Sequence, residues 1–341
     1  MKLLKSKILL LAAFLCLIAI AGLGYYYFLT DFAEGKDTSY VYVDEDDTLD
    51  SVLTKLRPYT TEHSLTGFST LIRHSGYAKK PMTGRYAIEP GESTWRFMRK
   101  MKNGHQSPLM LTIPESRTMM KLAGALSRKL MMDSVEIAAA LIDEEYCQRW
   151  GYDTATIAAL FVPNTYQVYW DVTLDHFMER MVREHDAFWD AQRQQKAKDA
   201  GLTPNEVSTL ASIIDEETAN TAEKPMIAGM YINRLHAGMP LQADPTVKFA
   251  LKNFELRRIY HDMLFLDNPY NTYRNTGLPP GPIKVASVKG IDAVLNYVKH
   301  DYLYMCAKED FSGTHNFASS YSEHLRNAAR YAKALNERGI K

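Results

Sequence analysis

The longest unbroken apolar stretch lies at the amino terminus, Ile8 to Phe28, 21 residues without a charge. Lys2, Lys5 and Lys7 precede it, and Asp31, Glu34 and Asp37 follow. About 20 apolar residues cross the hydrocarbon core of a bilayer as a helix, and basic flanks stay on the cytoplasmic side. Ala19-Ile20-Ala21 has the small-residue form of a signal cleavage site, but the run continues through Leu23 and Tyr25 to Phe28, too long for a signal core. The pattern predicts an uncleaved anchor over 8–28, a cytoplasmic tail over 1–7, and everything after residue 30 on the outer face.

Between residues 40 and 130 one pattern recurs three times. Tyr40–Val43, Arg85–Ile88 and Leu111–Ile113 read as short strands of β-branched and aromatic residues. Each leads through an acidic turn and a Ser or Thr into an amphipathic helix: Leu49–Leu56, Thr94–Met101 and Met119–Leu130. The order resembles LysM modules, strand–helix units that bind N-acetylglucosamine polymers; a sugar-binding domain and a purely structural one both fit. The pattern predicts a repeat domain over 38–130 and a second domain over 131–341, a chain of α+β class.

In the second domain Ser134–Trp150 and Leu174–Ala200 read as helices, separated by the Pro-marked loop Val162-Pro163-Asn164-Thr165-Tyr166. Thr203-Pro204-Asn205-Glu206 is a strong helix start, with a capping box and Pro at the first helical position. A Pro/Gly-rich loop (Asn268–Pro282), a hairpin of Tyr302–Ala307 with Thr314–Ala318, and a final helix opening at Ser320…Glu323 complete the chain.

Composition narrows the chemistry. Forty basic and forty acidic residues cancel and no Lys/Arg-rich run stands out, so nucleic acid is set aside as a partner. The three cysteines form no CxxC, and the ten histidines show no HExxH spacing, so no metal site and no cofactor is expected. Cys147 and Cys306 could pair in an oxidising compartment, but their spacing does not require it.

One carboxylate stands out. On the helix starting near Pro204, Val207, Leu210, Ile213 and Ile214 form an apolar stripe, and at 100° per residue Glu217 falls on it. Asp215 and Glu216 are expected on the polar side. A carboxyl facing an apolar surface has its pKa raised, as a general acid requires. The alternative is that the helix ends there and Glu217 reaches solvent or a basic partner.

The segment Leu210-Ala211-Ser212-Ile213-Ile214-Asp215-Glu216-Glu217-Thr218 resembles the hallmark of the endolytic murein transglycosylase (YceG-like) family. Ile232-Asn233-Arg234-Leu235, Met239 to Val247, Tyr270-Asn271-Thr272-Tyr273, Gly277 to Ile283, Tyr302-Leu303-Tyr304, His315-Asn316-Phe317 and Glu323-His324 follow in the family's order. Two departures stand out: Asp215 where the family more often has Glu, and Asn164 where it has Asp.

The resemblance implies that 131–341 is the catalytic domain and that Glu217 is the catalytic residue. It implies an inner-membrane, single-pass enzyme acting on peptidoglycan strands outside the membrane. The reaction would cleave MurNAc-β-1,4-GlcNAc bonds to 1,6-anhydroMurNAc ends, terminating nascent strands without a cofactor. Gln242, Asp244, Asn271, Thr272, Tyr273 and His315 become candidates for substrate binding. Asp244 before Pro245 equally suits a helix cap, Asn271–Tyr273 a turn, and His315 an ordinary strand position. Cell-wall synthases are the class of protein partner such a role calls for. A non-catalytic peptidoglycan-binding scaffold and a water-using glycoside hydrolase are the rival readings.

Overall fold

The amino-terminal apolar run folds as one helix, α1 (Lys2–Phe28), of which the 23 residues Ser6–Phe28 are long and apolar enough to cross a membrane and are not buried. The structure, a computed structural model, describes residues 2–256 and 258–339. Met1, first residue of the expected tail, lies outside the described residues, as do Arg257, Ile340 and Lys341. The chain divides into two compact units: residues 1–111 with 129–131 and 167–172, and residues 112–128 with 132–166 and 173–341.

In the first unit β1 (Ser39–Val43), α2 (Leu49–Leu56), α3 (Glu62–Arg73), β2 (Gly84–Ile88) and α4 (Thr94–Lys102) follow in order. Thr48, Thr61 and Ser93 cap the three helices, each accepting a hydrogen bond from a backbone N–H of the first turn. The core is aromatic at its centre: Phe32 stacks on Phe97 at 4.3 Å between ring centroids, and Phe68 lies 5.5 Å from Phe32. Val43, Val52, Leu56 and Ile88 close around them.

The strand–cap–helix order of the sequence holds locally, but the expected LysM-like repetition does not appear as separate modules. β1 and β2 pair with each other, antiparallel, from Ser39↔Ile88 to Val43↔Gly84. A short strand cannot satisfy its own backbone, so the first two sequence segments form one β–α–α–β–α unit. The third belongs largely to the second unit, which begins at Thr112.

The chain crosses between the units within β3 (Leu109–Thr112) and again within β4 (Thr165–Val168). The second unit's remaining elements are α5 (Met119–Ser127), α6 (Ser134–Ala140), α7 (Glu144–Arg149), α8 (Leu174–Phe188), α9 (Ala191–Asp199), α10 (Pro204–Glu217), α11 (Lys224–His236), α12 (Asp244–Ala250), α13 (Val288–Leu295), β5 (Tyr304–Ala307), β6 (His315–Ala318) and α14 (Tyr321–Glu337). Both long helices expected from the sequence are broken in two. Asp143 and Asp190 cap the second half of each, their carboxylates accepting from Tyr146 N–H at 2.7 Å and Arg193 N–H at 2.8 Å. An aspartate side chain can bond backbone N–H groups outside a helix, which favours a break at each of these positions. The hairpin pairs β5 with β6 from Tyr304↔Ala318 to Ala307↔His315. All three cysteines are free thiols.

Helix α10 is the axis of this unit. Its start is as the sequence indicates: the Thr203 hydroxyl accepts from Glu206 N–H, and the Glu206 carboxylate accepts from Thr203 N–H at 2.8 Å. Every residue from Val207 to Ile214 is buried, among α9, α11, α12 and α13. Within this belt the Ser212 hydroxyl donates to Thr209 O at 2.7 Å and accepts from Ile283 N–H at 3.0 Å, so its burial leaves no polar atom unsatisfied.

The polar side of α10, on which Asp215 and Glu216 are expected, is not open to solvent: it is occupied by cations from other segments. The Asp215 side chain is 2% exposed and forms an ion pair with Lys224, itself 9% exposed. Its carboxylate also accepts from Ser287 N–H at 2.7 Å and Ser287 O–H at 2.8 Å, where Ser287 caps α13. A Cβ on Gly290 would come within 2.6 Å of this carboxylate, so glycine is what lets α13 approach. Glu216 accepts from Arg117 Nε and Nη2, at 3.1 and 2.7 Å, with Lys284 at 3.5 Å. Periodicity identified an apolar face, but not the cations that other segments bring to the remaining one.

Removing the charge of Asp215 while keeping its shape strands a buried Lys224. Breaking such a pair costs about 3–5 kcal/mol. Asp215→Asn should lower the melting temperature of the full-length protein in detergent by roughly 5–15 °C. A melting curve indistinguishable from wild type would show that the pair does not hold the end of α10.

Candidate active site

Glu217 is the last residue of α10, and the turn that follows leaves its side chain on the wall of a cleft of about 320 Å³. Tyr231 and Arg234, one helical turn apart on α11, lie along the same wall. Gln242, Asp244 and Tyr273 line the cleft from the loops around α12, and Cys306, His315 and His324 from the hairpin and α14.

Burial pushes the Glu217 carboxyl up to about 7, with the negative charge of Asp244 adding to the effect. Two groups oppose it: the Tyr231 hydroxyl, which donates to Glu217 Oε1 at 2.9 Å, and the charge of Lys248. Desolvation is the largest effect, so the carboxyl holds its proton near neutrality, where an exposed glutamate has lost it. Burial and the neighbouring Glu217 likewise drive the Tyr231 phenol well above its ordinary value, so it remains a donor.

Arg234 organises the loop beside it. Its guanidinium donates to Leu303 O at 2.6 Å, Pro240 O at 3.0 Å, Leu241 O at 2.9 Å and Gln242 Oε1 at 3.1 Å. Four acceptors around one buried cation hold the loop before α12. Within that loop Gln242 has φ +54°, a left-handed conformation a side chain rarely adopts. Its N–H donates to Thr272 O at 3.0 Å, and with Oε1 engaged by Arg234 the exposed side chain presents its amide N–H₂ to the cleft.

The sequence candidates separate into two groups. Glu217, Gln242, Asp244, Tyr273 and His315 converge on the cleft. Asp244 does not cap α12: Ala243 holds the capping position without a side-chain bond, and the Asp244 carboxylate accepts the Tyr273 hydroxyl at 2.6 Å.

Asn271 and Thr272 are not part of the lining. Asn271 is fully buried, its amide donating to Leu264 O and Leu266 O at 2.9 and 2.8 Å and its oxygen accepting from Tyr273 N–H at 3.1 Å. The buried Thr272 hydroxyl accepts from Ala243 N–H at 3.0 Å and shares a 2.8 Å hydrogen bond with Thr246. Both are turn residues that set Tyr273 and Gln242 in place. Tyr231, Arg234 and His324 escaped selection from the sequence alone. The spacing of Tyr231 and Arg234 was the available signal for those two.

The YceG-like family matches residues 41–330. The endolytic murein transglycosylase of Bacillus subtilis (strain 168) is 27% identical, over 89% of this chain and 88% of that protein. The endolytic murein transglycosylase of Streptococcus pneumoniae (strain D39) is 26% identical over 97% of this chain, which spans 66% of that longer protein. A crystal structure of a YceG-like protein from Listeria monocytogenes shares the fold at a TM-score of 0.56 and 25% identity, covering 86% of this chain and 99% of that one.

A carboxyl raised by burial leaves a signature in stability. Glu217 binds its proton more tightly folded than unfolded, so its contribution is most favourable below the unfolded value and is lost as pH rises toward about 7. Glu217→Gln removes that loss. The variant should melt above wild type at pH 8 and much closer to it at pH 4.5. An equal offset at both pH values would show that the carboxyl is not raised.

Proposed function

The chain belongs to the YceG-like family, and from that membership together with the chemistry of the cleft we propose that it is an endolytic murein transglycosylase with Glu217 as its only acid–base residue. The observation that carries the reading is a carboxyl with a pKa of about 7 on the wall of an open, largely polar cleft. At neutral pH a substantial fraction is protonated, as the first step requires.

Glu217 donates its proton to the glycosidic oxygen as the bond to the MurNAc anomeric carbon breaks, and GlcNAc leaves as an alcohol. Positive charge develops at the anomeric carbon, stabilised by the substrate's acetamido oxygen and by the field of Asp244. The Glu217 carboxylate, still bound by Tyr231, takes the proton of the MurNAc 6-hydroxyl. That oxygen closes the 1,6-anhydro ring, returning Glu217 to its acid form. The proton count balances without water. The free amide N–H₂ of Gln242 is suited to hold the acetamido carbonyl, a role that the engaged side chain of Asn271 cannot share.

The single apolar helix Ser6–Phe28 supports a single-pass anchor in the inner membrane, with the cleft on the periplasmic face where peptidoglycan lies. Cell-wall synthases are the proposed protein partners, since cleavage of nascent strands would end their elongation. The β1–α2–α3–β2 order supports a LysM-like, glycan-contacting role for the first unit.

Two measurements test this. Digestion of purified glycan strands should yield ends about 18 mass units lighter than hydrolysis gives, and Glu217→Gln should reduce the rate by about 10⁴-fold, the upper end for a general acid–base group. Reducing-end products would replace the lyase with a hydrolase, and an active Glu217→Gln variant would remove Glu217 from the chemistry. For the anchor, the mature protein should fractionate with the inner membrane and keep its lysine-rich amino terminus. A mature terminus near Gly22 would show cleavage instead.

A further inference from the structure

Glu223 belongs to no part of the mechanism above, yet it is 8% exposed and bound twice to one cleft residue. Its Oε1 accepts from the His315 backbone N–H at 2.6 Å and its Oε2 from His315 Nδ1 at 2.9 Å. A carboxylate offers only lone pairs, so the proton of the neutral imidazole is on Nδ1. Nε2 is then a bare acceptor. It has no hydrogen-bond partner among the described residues, and His315 lines the cleft that contains Glu217.

The neighbouring residue matters equally. Lys224, the next in the chain, forms the buried pair with Asp215 at the end of α10. Two adjacent residues at the start of α11 therefore bind two elements that line the cleft: Lys224 the helix that ends in Glu217, Glu223 the strand that carries His315. A displacement of this turn would alter both the separation of the walls and the orientation of the imidazole.

We propose that Glu223 is a positioning residue that fixes the tautomer of His315, so that His315 Nε2 accepts a hydrogen bond from an N–H or O–H group of the bound glycan across the cleft from Glu217. The inference rests on the glycan-cleaving reading of this cleft. It assigns the hairpin wall a binding role distinct from the proton transfer at Glu217.

Full-length Glu217→Gln protein, which should bind purified glycan strands without cutting them, is the background for the test. Adding His315→Asn keeps a donor at the Nδ1 position for Glu223 but leaves nothing at the Nε2 position. Adding Glu223→Gln keeps an acceptor for the His315 N–H but turns an amide N–H toward Nδ1. That forces the ring proton onto Nε2 and converts the acceptor into a donor. Each double variant should melt as its parent does and bind strands about tenfold more weakly, the worth of one hydrogen bond. Combining all three substitutions should cost no more than either pair, because both remove the same bond.

In the otherwise wild-type enzyme His315→Asn should raise KM with a smaller effect on kcat. Strand binding by Glu217→Gln/His315→Asn equal to that of Glu217→Gln would overturn the inference. Should His315→Asn fail to fold, Glu223→Gln decides alone, and unchanged binding by Glu217→Gln/Glu223→Gln overturns it. Failure of the underlying reading looks different: the wild-type protein would leave strands uncut, or Glu217→Gln would cut them as wild type does.

Discussion

The buried carboxylate of Asp215 is the constraint on which the cleft depends. It joins the end of α10, the start of α11 through Lys224, and the start of α13 through Ser287. A buried ion pair gives little net stability against an apolar alternative, but it tolerates few geometries. Here the tolerated geometry places Glu217 two residues beyond the knot, at the point where the helix ends and the cleft opens. Glu216, between them, is held by Arg117 and Lys284, so neighbouring carboxylates that could have shared the chemistry are each committed to a cation.

Glu217 differs from its two neighbours because, among the described residues, its hydrogen bond comes from a neutral donor and no ion pair joins it. Tyr231 hydrogen-bonds it without supplying a charge, and burial raises its pKa. A lysine in place of that phenol would hold the group as a carboxylate. Three consecutive acidic side chains therefore have different fates on one helix end, decided by what each meets. The rest of the lining follows a similar economy: Arg234 and the pair Glu223–His315 hold loop and strand, leaving the Gln242 amide and the His315 Nε2 for the cleft.

What the sequence determined is what lies close along the chain. The length of the apolar run defines α1, and the capping box at Thr203–Glu206 defines the start of α10. Counting 100° per residue from that start places Glu217 with the apolar face. The strand–cap–helix order of the first unit and the hairpin near the carboxyl terminus were equally legible, because caps and alternation act over a few residues.

Tertiary structure decided the rest, through contacts between distant positions. Ser287 and Asp215 are 72 positions apart, and Glu223 and His315 are 92 apart, so no local pattern foretells either pair. The same holds for Asn271 and Thr272. Their residue types suit a substrate-binding loop and a turn equally, and only the acceptors at Leu264 and Leu266 and the partner at Thr246 assign them to the turn. The first two sequence repeats likewise became one antiparallel pair, because a strand's hydrogen bonds are completed by a neighbouring strand. Local periodicity specifies which face of an element is apolar; what meets its polar groups is settled by the packing of the whole unit.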